Sequence, residues 1–184
     1  MRLFAALPLP RSTIEAIAGL QAEWREAGWP LRWVPPASLH VTVRFFGEVT
    51  PDLADRLAGM LDEAAKDTGM LVLAPVALRP FPGGARARLV WLELGAEPAL
   101  ELLAHRVEQG CTALGLTPVR ETFRPHVTLA RVAREARLPR DAAACISAAP
   151  LPEVFSVGEL QLMESHLGSG PPRYEVRHVS PLAA

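Results

Sequence analysis

Lysine is almost missing from this chain. Of 19 basic residues in 184, 18 are arginine and Lys66 stands alone. A phosphate-cradling Gly-Lys-Ser/Thr loop is therefore excluded, because Lys66 lies between Ala65 and Asp67. Schiff-base or nucleotidyl-lysine chemistry would need the same residue, within Asp62-Glu63-Ala64-Ala65-Lys66-Asp67, which reads as a solvated helix face. Cysteine is scarce too: Cys111 and Cys145 form no Cys-x-x-Cys pair, so reduced thiols are expected. No apolar run approaches the roughly 18 residues of a membrane span. The opening Met1 to Leu7 mimics a signal peptide only until Pro8, Pro10 and Arg11 interrupt it. A net charge of −1 argues against tight sequence-blind duplex binding. A cytoplasmic monomer with no membrane partner is expected.

What is present suits one compact unit. Half the chain is apolar (49%), with mean hydropathy +0.16. Strands are expected at 2–7, 39–46 (closed by Gly47), 70–79, 87–94, 123–130, 154–163 and 173–180. Helices are expected from a Ser12–Glu15 capping box, from Thr50-Pro51-Asp52 to Gly69, after Pro98, and near 140–148. Loops are expected at Pro80–Gly84 and Gly168–Pro172. Short strands, often adjacent, with few helices favour an α+β plan with largely antiparallel sheets.

The informative feature is a repeated tripeptide, His40-Val41-Thr42 and His126-Val127-Thr128, 86 residues apart. Side chains alternate along a strand, so each His shares a face with its Thr while the valines turn inward. With eight threonines in the chain, two such triplets arise by chance roughly 2% of the time. One triplet alone reads as a half-buried hydrogen-bonded pair; two in matching settings read as a site. A zinc site would want three or four ligands, and each His has a hydroxyl beside it instead. Two imidazoles facing a cleft suit a reaction with a base on one side and an acid on the other, and the hydroxyls suit a phosphate.

These residues resemble the 2H phosphoesterases, and within them the RNA 2′,3′-cyclic phosphodiesterases, also called 2′-5′ RNA ligase-like proteins. The resemblance runs through Arg2 to Leu7, Arg32-Trp33-Val34, Leu39 to Val49, Val90-Trp91-Leu92, Phe123 to Arg131, Glu164-Ser165 and Tyr174. Met163 departs from it, where an aromatic is frequent. The resemblance implies a single domain over 1–184: a two-lobed, pseudo-twofold fold with intertwined lobes, each carrying one motif, 40–43 and 126–129. It also implies hydrolysis of RNA 2′,3′-cyclic phosphate ends to 2′-phosphomonoesters, without cofactor or metal. His40 would be the proton donor and His126 the acceptor, with Thr42, Thr128 and Arg131 on the phosphate. The two triplets alone do not distinguish acid from base. Alternatives are ATP-independent 2′-5′ RNA ligation, cleavage of a small cyclic nucleotide or 2′-5′ oligoadenylate, and a non-catalytic RNA-binding module.

Secondary candidates follow from position. By strict alternation Arg131 points away from His126 and Thr128, so only a strand end or bulge brings it to the cleft. Arg44 and Phe46 share the face of His40 and Thr42 and become possible phosphate and base contacts. Six arginines between 120 and 140 face two glutamates, a local charge of +4 beside the second motif. His105 is expected on a solvated helix face, and His166 and His178 lack a neighbouring threonine.

Overall fold

The computed structural model describes residues 1–83, 86–168 and 172–182. Eight strands build its central sheet: β1 (Arg2–Pro8), β2 (Leu31–Trp33), β3 (His40–Glu48), β5 (Pro75–Phe81), β6 (Leu89–Leu94), β7 (His126–Val132), β9 (Glu159–His166) and β10 (Arg173–Pro181). Their order is β10-β9-β1-β3-β7-β6-β5, with β2 also on β7, and every pairing is antiparallel. Two short strands, β4 (Leu71–Leu73) and β8 (Phe155–Val157), make a separate antiparallel pair. Four helices accompany them: α1 (Arg11–Glu26), α2 (Pro51–Ala65), α3 (Pro98–Ala113) and α4 (Arg140–Ala148). This is the expected α+β, largely antiparallel class.

The central strands explain themselves by composition. Leu3 to Leu7 of β1 are all buried, because β1 lies between β3 and β9 and packs on both faces. The helices bury single stripes: Ile17, Leu20 and Trp24 on α1; Leu57 and Leu61 on α2; Leu100, Leu103, Val107 and Cys111 on α3. One continuous apolar core joins these stripes to the sheet. Burial pushes the Cys111 thiol up to about 11, so it is packing rather than chemistry. Cys145 is free and exposed.

Several boundaries differ from expectation. The α1 cap is Pro10, with no side-chain bond, and Glu15 instead pairs with Arg11 at 2.7 Å. Thr50 does cap α2, accepting from the Leu53 amide at 3.4 Å. That helix ends at Ala65 rather than Gly69, with Asp67 adopting the left-handed turn (φ 59°). The expected strand 70–79 divides at Ala74 into β4 and β5, which belong to different sheets, and 154–163 divides likewise at Gly158. The second-motif strand begins at His126, not near 123. Strand β5 continues through Pro80 and Phe81. Gly84 of the loop expected there, and Ser169, Gly170 and Pro171 of the later one, lie outside the described residues.

Strand β3 runs past its expected stop. Gly47 lies within it at φ +78°. The β1–β3 ladder slips twice, between Ala5 and Ala6 and between Leu3 and Phe4, leaving Val43 and Phe46 as extra residues. A bulge of this kind interrupts the period of two. Glycine accommodates the positive φ without steric cost.

Candidate active site

Strands β3 and β7 meet at one pair, Val41 opposite Val127, both fully buried. This antiparallel register sets His40 across from Thr128, and Thr42 across from His126. The two triplets are thus joined at their centres about a local twofold, with four polar side chains above two buried valines. All four are half-buried, open enough to meet a ligand yet partly dehydrated.

Both imidazoles are anchored alike. Nδ1 of His40 donates to the Ser38 carbonyl at 2.8 Å, and Nδ1 of His126 donates to the Arg124 carbonyl at 2.7 Å. A carbonyl only accepts, so the proton sits on Nδ1 and Nε2 is left as the acceptor nitrogen of the neutral ring. The Thr42 hydroxyl lies 3.1 Å from His40 Nε2 and donates to it when the ring is neutral. Burial lowers both imidazoles from their ordinary value, against the opposing pull of the carbonyls. His40 is depressed further by the charges of His126 and Arg131. Both rings are therefore neutral around pH 7, and a bound anion would favour their protonation.

The surroundings of the two rings differ. His40 packs against Phe4 (centroids 5.0 Å) and edge-on to Tyr174 (5.3 Å), which itself meets Phe4 at 5.1 Å. His126 lies flat on Trp91 at 3.8 Å and 17°, and Trp91 lies flat on Phe81 at 3.7 Å and 9°. A cleft of about 1030 Å³ opens beside His126, walled by Thr42, Phe45, Phe81, Trp91, Phe123 and Arg124 among others. Its polar rim includes Arg120 and His105, the latter exposed on α3 as expected.

Arg131 reaches the exposed face by the bulge its position required. The β6–β7 ladder slips between Val90–Ala130 and Trp91–Thr128, leaving Leu129 as the extra residue. Leu129 and Ala130 are both fully buried, and Arg131 emerges on the exposed face with its charge felt at His40. A buried glutamine supports this bulge. Gln21 of α1 donates to the Val34 and Leu129 carbonyls at 2.9 and 3.0 Å. Strict periodicity hid this residue, since a glutamine on an apolar stripe marks itself only by being polar.

Two expected contacts are corrected. Phe46 is 7% exposed and belongs to the core, because the second β3 bulge inverts the alternation after Arg44. Phe45, 61% exposed, takes the cleft side instead. Arg44 lines the cleft but is engaged: it donates to Glu108 Oε2 and to the Thr117 carbonyl, each at 2.7 Å, and to the Phe45 carbonyl. Glu108 also accepts from the Val119 amide at 2.8 Å, so Arg44 braces the wall rather than presenting a free cation. His178 bonds Asp62 at 2.7 Å, clamping β10 to α2 with help from Ser180. His166 lies with Glu164 and Glu175 in the three-residue group of metal-ligating types found among the described residues. Arg177 pairs with both of those carboxylates, and neither His40 nor His126 belongs to such a group. Met163 pairs with Phe4 across β9 and β1, and it is Phe4 that packs against His40.

Known proteins resemble the chain in sequence and fold. A family model, the 2′-5′ RNA ligase superfamily, matches residues 9–169. The chain is 30% identical over 181 residues to an RNA 2′,3′-cyclic phosphodiesterase of Geobacillus stearothermophilus, covering 97% of this chain and 56% of that protein. It thus spans little more than half the length of that relative. It is 32% identical over 124 residues to an RNA 2′,3′-cyclic phosphodiesterase of Aeropyrum pernix, covering 67% of this chain and 69% of that one. The crystal structure of a Thermus thermophilus protein, TT0787, superposes with a TM-score of 0.83 at 25% identity, over 99% of this chain and 98% of that one. With paired His-x-Thr strands in one sheet, and a family match across most of its length, the chain belongs to the 2′-5′ RNA ligase superfamily of 2H phosphoesterases.

Proposed function

We propose that this protein hydrolyses RNA 2′,3′-cyclic phosphate ends to 2′-phosphomonoesters by a two-histidine, metal-independent mechanism. The observation that carries the reading is the joined pair of triplets: two imidazoles, each anchored through Nδ1, and two hydroxyls stand side by side on a twofold pair of strands. The names of the relatives in Geobacillus and Aeropyrum support the activity. The roles follow the resemblance. His126 takes a proton from water as its oxygen attacks phosphorus. The P–O3′ bond breaks, and His40 gives its proton to O3′. Exchange with solvent then resets both rings. Thr42, Thr128 and Arg131 hold the non-bridging oxygens, where charge-assisted bonds are strongest. Residues 1–184 act as one two-lobed unit, a reading supported by the single core that runs beneath both motifs. The protein works as a cytoplasmic monomer.

The test is turnover of an oligonucleotide ending in a 2′,3′-cyclic phosphate, with EDTA present. The expected product is the 2′-phosphomonoester, identified by phosphorus NMR and phosphatase sensitivity. A requirement for added metal, or a 3′-phosphate product, would refute the mechanism.

A further inference from the structure

Strand β2 carries a second arginine directly opposite Arg131. The antiparallel register pairs Leu31 with Val132, Arg32 with Arg131, and Trp33 with Ala130. Directly opposed residues project to the same face of a sheet. Leu31, Ala130 and Val132 are buried, so the two guanidiniums share the opposite, exposed face. Among the described residues neither arginine pairs with a carboxylate, whereas Arg11, Arg44, Arg79 and Arg177 each do. Like charges placed directly opposite are destabilising. The fold nevertheless fixes them there: Gln21 ties the segment after β2 to the Leu129 carbonyl, and the Val34 amide donates to that same carbonyl at 2.9 Å.

The pair also has a definite place relative to the chemistry. Arg131 lies three residues beyond Thr128, at most about 10 Å along the strand, which is within arginine reach and on the scale of one nucleotide. Its charge acts on His40. The wide cleft lies toward the other end of β7, beside His126. The arginines therefore flank the site on the side of the proposed proton donor, where the proposed mechanism puts the leaving O3′ and its ribose.

Resting on the proposed hydrolysis, we propose that Arg32, held opposite Arg131, forms a second phosphate subsite that takes the 5′-phosphate of the terminal nucleotide while Arg131 stays on the cyclic phosphate. The group is the internucleotide phosphodiester of an RNA end or the monoester of a 5′-phosphorylated nucleotide. The substrate class is thereby narrowed to cyclic phosphates bearing a second phosphate on the 5′ side, over plain nucleoside cyclic phosphates.

The experiment compares adenosine 2′,3′-cyclic phosphate, its 5′-phosphorylated form, and a dinucleotide ending in the cyclic phosphate, on wild type and Arg32→Ala. Expected is a kcat/KM advantage of about tenfold, the scale of one charge-assisted hydrogen bond, for the two substrates with a 5′-phosphate. It is carried by KM and falls to near onefold in the variant. The phosphodiester and monoester arms show which source the subsite prefers. Binding decides independently of turnover: calorimetry with adenosine 2′,5′-bisphosphate against adenosine 2′-phosphate should show the same Arg32-dependent ratio. No discrimination by the wild type, or a ratio that survives Arg32→Ala, overturns the subsite. If no cyclic phosphate is opened, the hydrolytic reading fails, and the calorimetric ratio still decides the subsite.

Discussion

The two triplets carry the same residues on the same backbone plan, yet their histidines are held by different neighbours. Each ring is anchored through Nδ1 to the carbonyl two residues before it. Beyond that anchor the symmetry ends. His40 stands among Phe4 and Tyr174, with Thr42 on its Nε2 and the arginine pair beyond it. His126 is stacked on Trp91 and Phe81 and faces the open cleft. On the proposed mechanism, the difference teaches how a repeated motif performs two tasks. The strand register supplies two equivalent imidazoles, and the walls make one side tight and charged, the other wide and aromatic.

Breaking either half should be severe. His40→Ala and His126→Ala are each expected to lower kcat by about 10²–10⁴-fold, the range for a lost general acid or base, measured on a cyclic-ended oligonucleotide. The double variant should cost little more than the worse single one, since on the proposed mechanism the two act in one step. Next in size is the contrast of neighbours on β3. Phe46→Ala should destabilise the fold by about 3–5 kcal/mol in urea melts, as a buried aromatic truncation does. Phe45→Ala should stay within about 0.5 kcal/mol, as an exposed substitution does, and raise KM instead. Smaller again is the support of the arginine side. Gln21→Leu leaves the Val34 and Leu129 carbonyls without its amide, and should cost about 1–3 kcal/mol in the same melts. It should also weaken substrate binding through Arg131, an effect read in KM.

Much of this site was legible in the sequence because strand periodicity is a short-range rule. His40, Thr42, His126 and Thr128 share a face for the reason the period of two requires, and Val41 and Val127 fall beneath them. The α+β plan followed from short strands interleaved with few helices. What failed was periodicity at its interruptions. Phe46 went to the core and Phe45 to the cleft because a bulge depends on the partner strand, which a single stretch of sequence does not contain. The same physics brought Arg131 to the exposed face it shares with Thr128, where the need for a bulge was legible and the bulge itself was not. Strand breaks at Ala74 and Gly158 were equally invisible, being set by which sheet each half joins. Arg44 drew attention by its face, yet Glu108, 64 residues away, had already engaged it. Gln21 escaped notice for the same reason, its partners lying on distant strands.

The division of labour between the two rings is tested most directly by the pH dependence of kcat/KM. Burial lowers both imidazoles from 6.5, so the free enzyme should show a bell with its maximum on the acid side of that value. A donor must be protonated, so the alkaline limb belongs to His40. An acceptor must be neutral, so the acid limb belongs to His126. The residual activity of His40→Ala should therefore keep the acid limb and lose the alkaline one, and that of His126→Ala should do the reverse. Loss of the same limb in both variants, or a bell that survives either substitution, would contradict the account.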